Sequence, residues 1–213
     1  MFKFTASEIR DLLIAFFVIS LCFGIANTGR NLSALMNMLP MIMVGVGLGF
    51  ILHELGHKFV SMKYGYWAEF KLWPEGLLFA LVTSFFGFVF AAPGAVYTYA
   101  NYITEEINGK ISIAGPIVNI VLALIFLGVA IAVYPSAFNS NVSLIIFIVC
   151  SLGYSINSFL ALFNLLPIGN LDGSKVLRWN VGIWIITIAI AGIMTLLSMT
   201  MGVENIVRLL IGF

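Results

Sequence analysis

The chain has 213 residues, of which 62% are hydrophobic and only 9% charged, with a formal net charge of +1. A water-soluble domain carries about 25% charged residues, so most of this surface does not face water. A near-neutral chain also lacks the broad basic surface that nucleic-acid binding requires.

A membrane-spanning helix needs about 20 mostly apolar residues. The first apolar run, Leu12 to Ala26, follows a short helical lead-in at Ser7-Glu8-Ile9-Arg10. No small-residue cleavage site follows it, so it is expected to stay as a permanent span rather than leave as a signal peptide. The second run extends from about Leu35 through Val60 and contains both histidines of the chain. Cys22 in the first run, like Cys150 further on, reads as a small buried hydrophobe.

Residues 66 to 104 are apolar but interrupted by Pro74, Gly76, Gly87, Pro93 and Gly94, with aromatic and β-branched residues throughout. Pro93-Gly94 ahead of Ala95-Val96-Tyr97-Thr98-Tyr99 reads as a turn leading into a strand. Lipid cannot satisfy a non-helical backbone, so such a segment must lie against protein or line a cavity. A re-entrant β-hairpin meets that requirement.

Three further spans follow, at Ile111 to Tyr134, Val142 to Leu166 and about Val181 to Met199. The tail from Val203 to Phe213 is apolar apart from Glu204 and Arg208 and reads as a short sixth helix, embedded or lying on the surface. The expected fold is an all-α polytopic membrane protein. It has five to six transmembrane helices, a re-entrant β-hairpin between the second and third, and a single membrane-embedded domain over residues 1–213. If five spans alternate, Lys3, Arg10, Lys58, Lys63, Lys71, Lys110, Lys175 and Arg178 fall on one side and Arg30 on the other. That asymmetry predicts a cytoplasmic N-terminus, with the candidate site near the cytoplasmic side.

The chemistry concentrates at His53-Glu54-Leu55-Gly56-His57. Histidines four apart on a helix lie on one face, where two imidazoles can share one zinc. Glu54 projects beside them, where a carboxylate can take a proton from activated water. A charged group within a span is costly, about 2.5–3.5 kcal/mol by insertion scales, and a metal would compensate for it. Gly45, Gly47 and Gly49 would allow close approach of another helix or of a substrate, and packing alone explains them equally well.

Catalytic zinc usually takes three protein ligands and a water. With no third histidine, a carboxylate or thiolate must supply the third. Glu8, Asp11, Glu69, Glu75, Glu105, Glu106 and Glu204 lie in flanks, loops or the tail, which leaves Asp172 once Glu54 is set aside as the base. Pro167 and Gly169 would unwind the chain just before it. Asp172 would then either ligate a metal or cap the helix that carries Lys175 and Arg178.

These motifs resemble those of the site-2 protease family of intramembrane zinc metalloproteases. The resemblance rests on His53-Glu54-x-x-His57 and on Asn164-Leu165-x-Pro167-x-x-x-Leu171-Asp172-Gly173, in the family's order and separation. The apolar hairpin around Pro93-Gly94 and the Ala114-Gly115-Pro116-Ile117-Val118-Asn119 segment add to it, so it covers about residues 40 to 180. It implies that His53, His57 and Asp172 hold one Zn2+ and that Glu54 is the general base. It also implies that Asn164 steadies the substrate carbonyl, and it likens Asn119 to a polar position near the site, where packing is the better account. The implied partner, besides the lipid bilayer, is a transmembrane segment of a regulatory protein, unwound to an extended strand at the site. Neither a PDZ module nor nucleotide-sensing domains are expected.

Two other readings use the same residues. A membrane zinc protease of the heat-shock or prenyl-protein type would take a glutamate as third ligand. A metal transporter or metal-binding membrane protein would spread several polar ligands along a path, and here only one cluster is evident.

Overall fold

The computed structural model describes residues 3–29, 31–90 and 93–212, so Arg30, the basic residue assigned above to the far side, lies outside the described residues. Its chain forms two compact units, Met1–Tyr102 and Ile103–Phe213. Among the described residues, five helices are long and apolar enough to cross a membrane, and their exposed side chains include Phe17, Leu21, Leu124, Ile125, Ile186 and Leu196. This is a multi-pass membrane protein.

The first unit begins with α1 (Ala6–Thr28), whose N-cap Thr5 accepts the Glu8 amide. It ends at Gly29, whose φ of 56° is a left-handed conformation that glycine adopts without penalty. Asn31 caps the next helix, α2 (Leu32–Lys63), by accepting the Ala34 amide. The two helices pack closely: a Cβ at Gly47 would lie 2.8 Å from the Phe16 ring. Packing on α1 therefore accounts for Gly47.

The expected hairpin is present as β1 (Trp67–Leu72) paired antiparallel with β2 (Gly94–Tyr99), in the register Phe70↔Val96. Its connection holds an apolar helix, α3 (Pro74–Ser84), where the sequence suggested only breaks. Pro74 stands in the first turn of that helix, where a missing N–H costs nothing and a fixed φ helps. One face of the sheet is buried through Ala68 and Phe70, and the Phe70 ring meets Phe50 of α2 edge-on at 5.6 Å.

The second unit is built on α4 (Glu105–Ala137) and α5 (Asn141–Asn164), capped by Thr104 and Ser140. Ala123, Phe126, Ala130, Cys150, Tyr154 and Ala161 form its core with residues of α7 (Val181–Met201) and α8 (Val203–Ile211). Cys150, like Cys22 of α1, is free and buried, as expected. Asn119 donates to Asn157 at 2.9 Å in this core, and both side chains are fully buried. Helix α8 is the short tail helix, tied down by Arg208, which donates to the Tyr134 hydroxyl at 2.6 Å and pairs with Glu204. Between α5 and α7, residues 165–171 form an irregular turn leading into α6 (Asp172–Trp179).

Candidate metal centre

His53, Glu54 and His57 lie in the last third of α2, and all three are buried. The two Nε2 atoms face each other at 3.0 Å, with the rings nearly perpendicular. Two nitrogens bound to one tetrahedral zinc at about 2.0–2.1 Å would be about 3.3–3.4 Å apart. The pair is therefore close to the spacing that a shared metal requires, on the face that the four-residue interval predicted.

In the second unit, α5 ends at Asn164 and Leu165 caps it. Trp184 donates its indole N–H to the Leu165 carbonyl at 2.9 Å, satisfying one acceptor that a helix end leaves open. The chain then turns through Pro167 and Gly169, whose φ is 55°. Ser174 closes the turn by hydrogen bonding to the carbonyls of Gly169 and Leu171. The N-cap of α6 is Leu171, so Asp172 is the first helical residue and not the cap. Its carboxylate is buried at the positive end of the helix, with Lys175 at 3.8 Å. Asn164 is half-buried and donates to the Leu160 carbonyl at 2.9 Å.

His53 and His57 in the first unit and Asp172 in the second can each offer one ligand atom to a metal. Two imidazoles and a carboxylate are a donor set that zinc takes. Glu105 and Glu106, candidates under the heat-shock-type reading, stand in the first turn of α4, and Glu204 is engaged by Arg208 and Tyr134.

The sequence reading missed a pair beside this centre. Glu8, taken as a flanking residue, and Lys58, taken as a basic residue at one membrane side, are each only 1% exposed and form an ion pair. Lys58 therefore adds no net charge to that face. The available clue was Lys58, a charge inside an apolar run where a partner is needed; Glu8, in the mixed-charge lead-in to α1, carried no such signal.

Comparison with known proteins gives three relatives. The chain is 42% identical over 186 residues to the protein named putative zinc metalloprotease MJ0611 of Methanocaldococcus jannaschii, covering 87% of this chain and 91% of that one. It is 30% identical over 160 residues to putative zinc metalloprotease YwhC of Bacillus subtilis, 67% and 70% of the two chains. It is also 30% identical over 164 residues to putative zinc metalloprotease Rip2 of Mycolicibacterium smegmatis, 70% and 60% of the two chains. No family model and no solved structure matches. At this identity and coverage, the chain belongs to the same family as MJ0611 and YwhC, each named a putative zinc metalloprotease.

Proposed function

We propose that the protein is an intramembrane zinc endopeptidase of the site-2 protease type, with His53, His57 and Asp172 as the ligands of one zinc. The observation that carries this reading is the buried His53–His57 pair, converging at 3.0 Å within a helix long and apolar enough to cross a membrane. When bound, zinc supplies the Lewis acidity that brings the pKa of water toward about 7. Glu54, between the two histidines, takes the proton from that water and later delivers it to the leaving amine. Asn164, at the end of α5, contributes an amide donor to the scissile carbonyl, where a preorganised donor acts most strongly in a dry site.

The substrate is a transmembrane segment that unwinds, because a helix hides the carbonyl to be attacked. We assign the edge of the sheet as the place where the extended substrate adds as a further strand. On β1, the Phe70 and Leu72 amides are already taken by carboxylates of Glu8 and Asp11. The outer side of β2, through Gly94, Val96 and Thr98, makes no backbone hydrogen bond among the described residues. A cytoplasmic N-terminus, with the site near that side, agrees with the remaining basic residues.

Cleavage of a transmembrane substrate with a central glycine or asparagine tests the reading. Wild-type protein and Glu54→Gln are compared, with zinc measured in each. Cleavage by the wild type alone, with zinc in both, supports it, and equal cleavage by the two refutes it.

A further inference from the structure

Buried opposite charges are costly to desolvate, and their mutual attraction does not by itself explain why a fold keeps them. Glu8 and Lys58 are therefore best understood through what their geometry connects. Lys58 follows His57 directly on α2, and its ammonium pairs with Glu8 Oε2. The same ammonium lies 4.4 Å from the Phe4 ring centre and 5.5 Å from that of Trp67, at the start of β1.

The other carboxylate oxygen, Glu8 Oε1, accepts the backbone N–H of Phe70 at 3.1 Å. Three residues further along α1, Asp11 Oδ2 accepts the Leu72 amide at 3.3 Å. Phe70 and Leu72 are alternate residues of β1, and in an antiparallel pair alternate amides point away from the partner strand. One glutamate thus joins two elements through its two oxygens: α2 immediately after its second histidine, and β1 at mid-strand. The Ser61 and Thr98 hydroxyls, 2.8 Å apart, make a second link from α2 to the sheet, this time to β2.

We propose that Glu8 is a positioning residue, whose bridge from Lys58 to the Phe70 amide fixes the sheet along α2 so that a substrate strand on β2 arrives level with His53, Glu54 and His57. This rests on the protease reading above and on strand addition at β2. Neutralising Lys58 is not enough under this proposal: the carboxylate must also hold the strand.

Three variants separate the two roles. Glu8→Ala removes both links. Glu8→Lys/Lys58→Glu restores a charge pair but leaves no acceptor on α1 for the Phe70 amide. Glu8→Gln/Lys58→Met removes both charges and keeps a side-chain carbonyl to accept that amide. Each is assayed for kcat and KM on the transmembrane substrate, for bound zinc, and for hydrogen exchange at Phe70. Glu8→Ala and the swapped pair are expected to raise KM about tenfold or more with kcat changed far less, as for lost substrate positioning. Both should lose protection at Phe70 and keep zinc. Glu8→Gln/Lys58→Met should stay within about threefold of the wild type on both constants.

Full recovery by the swapped pair would overturn the proposal, because charge alone would then suffice. Unchanged Phe70 protection and KM in Glu8→Ala would also overturn it, as would loss of zinc from that variant. If Glu8→Ala does not fold, the contrast between the two double variants decides. Absence of zinc and of Glu54-dependent cleavage in the wild type would overturn the protease reading itself. Their presence beside an unaffected Phe70 would overturn only the role of Glu8.

Discussion

Gly173 lies directly against the backbone carbonyl of Leu165: any Cβ at position 173 would collide with it and with the Leu166 carbonyl. The first turn of α6, which carries Asp172, is thereby seated on the end of α5, which carries Asn164. The obstacle is backbone, which cannot swing aside as a flexible side chain would. Gly173→Ala should therefore displace Asp172, with a stability loss of about 1–3 kcal/mol and substoichiometric zinc by metal analysis. Gly169→Ala meets no neighbour within 4 Å and carries only the strain of its left-handed φ. It should cost about 1–2 kcal/mol and perturb zinc less than Gly173→Ala does.

Ligand and base should part cleanly on α2. His57→Ala removes one of two convergent imidazoles and should weaken zinc binding by more than about 100-fold, the upper range for losing a mere outer-shell partner. Glu54→Gln should keep zinc and lower kcat by about 10²–10⁴-fold, the usual contribution of a general base. Competition with a chelator measures the first, and single-turnover cleavage the second.

Asn119 and Asn157 form the polar clasp between α4 and α5, and Asn157 also donates to the Gly153 carbonyl at 2.8 Å. Asn119→Leu should cost about 1–2 kcal/mol, in line with hydrogen bonds between helices in membranes. The double variant Asn119→Leu/Asn157→Leu should cost less than the sum of the single ones, because the two groups serve each other. Thermal unfolding in detergent gives the comparison.

The entry to α1 carries a pH-dependent tie. The Thr5 hydroxyl donates to Glu69 Oε1 at 2.6 Å, and Ser7 adds a second bond at 3.1 Å. The Thr5 bond chiefly, with help from Ser7 and the Lys71 and Lys58 charges, holds the Glu69 carboxyl below its ordinary value of 4.5. A carboxyl lowered by folding contributes its stability above that ordinary value and loses it as pH falls through the folded one. The stability difference between wild type and Glu69→Gln should thus be constant near neutrality and shrink on acidification below about pH 4.5.

Much of the fold was legible because the bilayer leaves few choices. The five spans followed from apolar run length, and the strand after Pro93-Gly94 from its turn residues and alternation. The structure mainly lengthened the helices, extending α4 back to Glu105 and forward to Ala137. Helix α3 was not legible, because Pro74 and Gly76 look the same whether they break a helix or begin one; only the closing of β1 on β2 requires a compact connection. The two histidines could be read as a pair because a four-residue interval on a helix sets their separation without reference to any other element.

By itself, the sequence determined that this is a multi-pass membrane protein with a two-histidine, one-glutamate cluster on one helix, and it singled out Asp172 as the candidate carboxylate. Those conclusions rest on composition, helical period and elimination, which are all local. Tertiary structure alone decided that Asp172 opens α6 rather than capping it, that Gly47 serves packing on α1, and that Glu8 reaches Lys58 and Phe70. The last depends on groups 50 and 62 residues away in sequence meeting the Glu8 carboxylate in a buried interior. No sequence interval encodes such a meeting: it follows from how helices and strands stack, and it decides whether a charge is a surface feature or a buried joint.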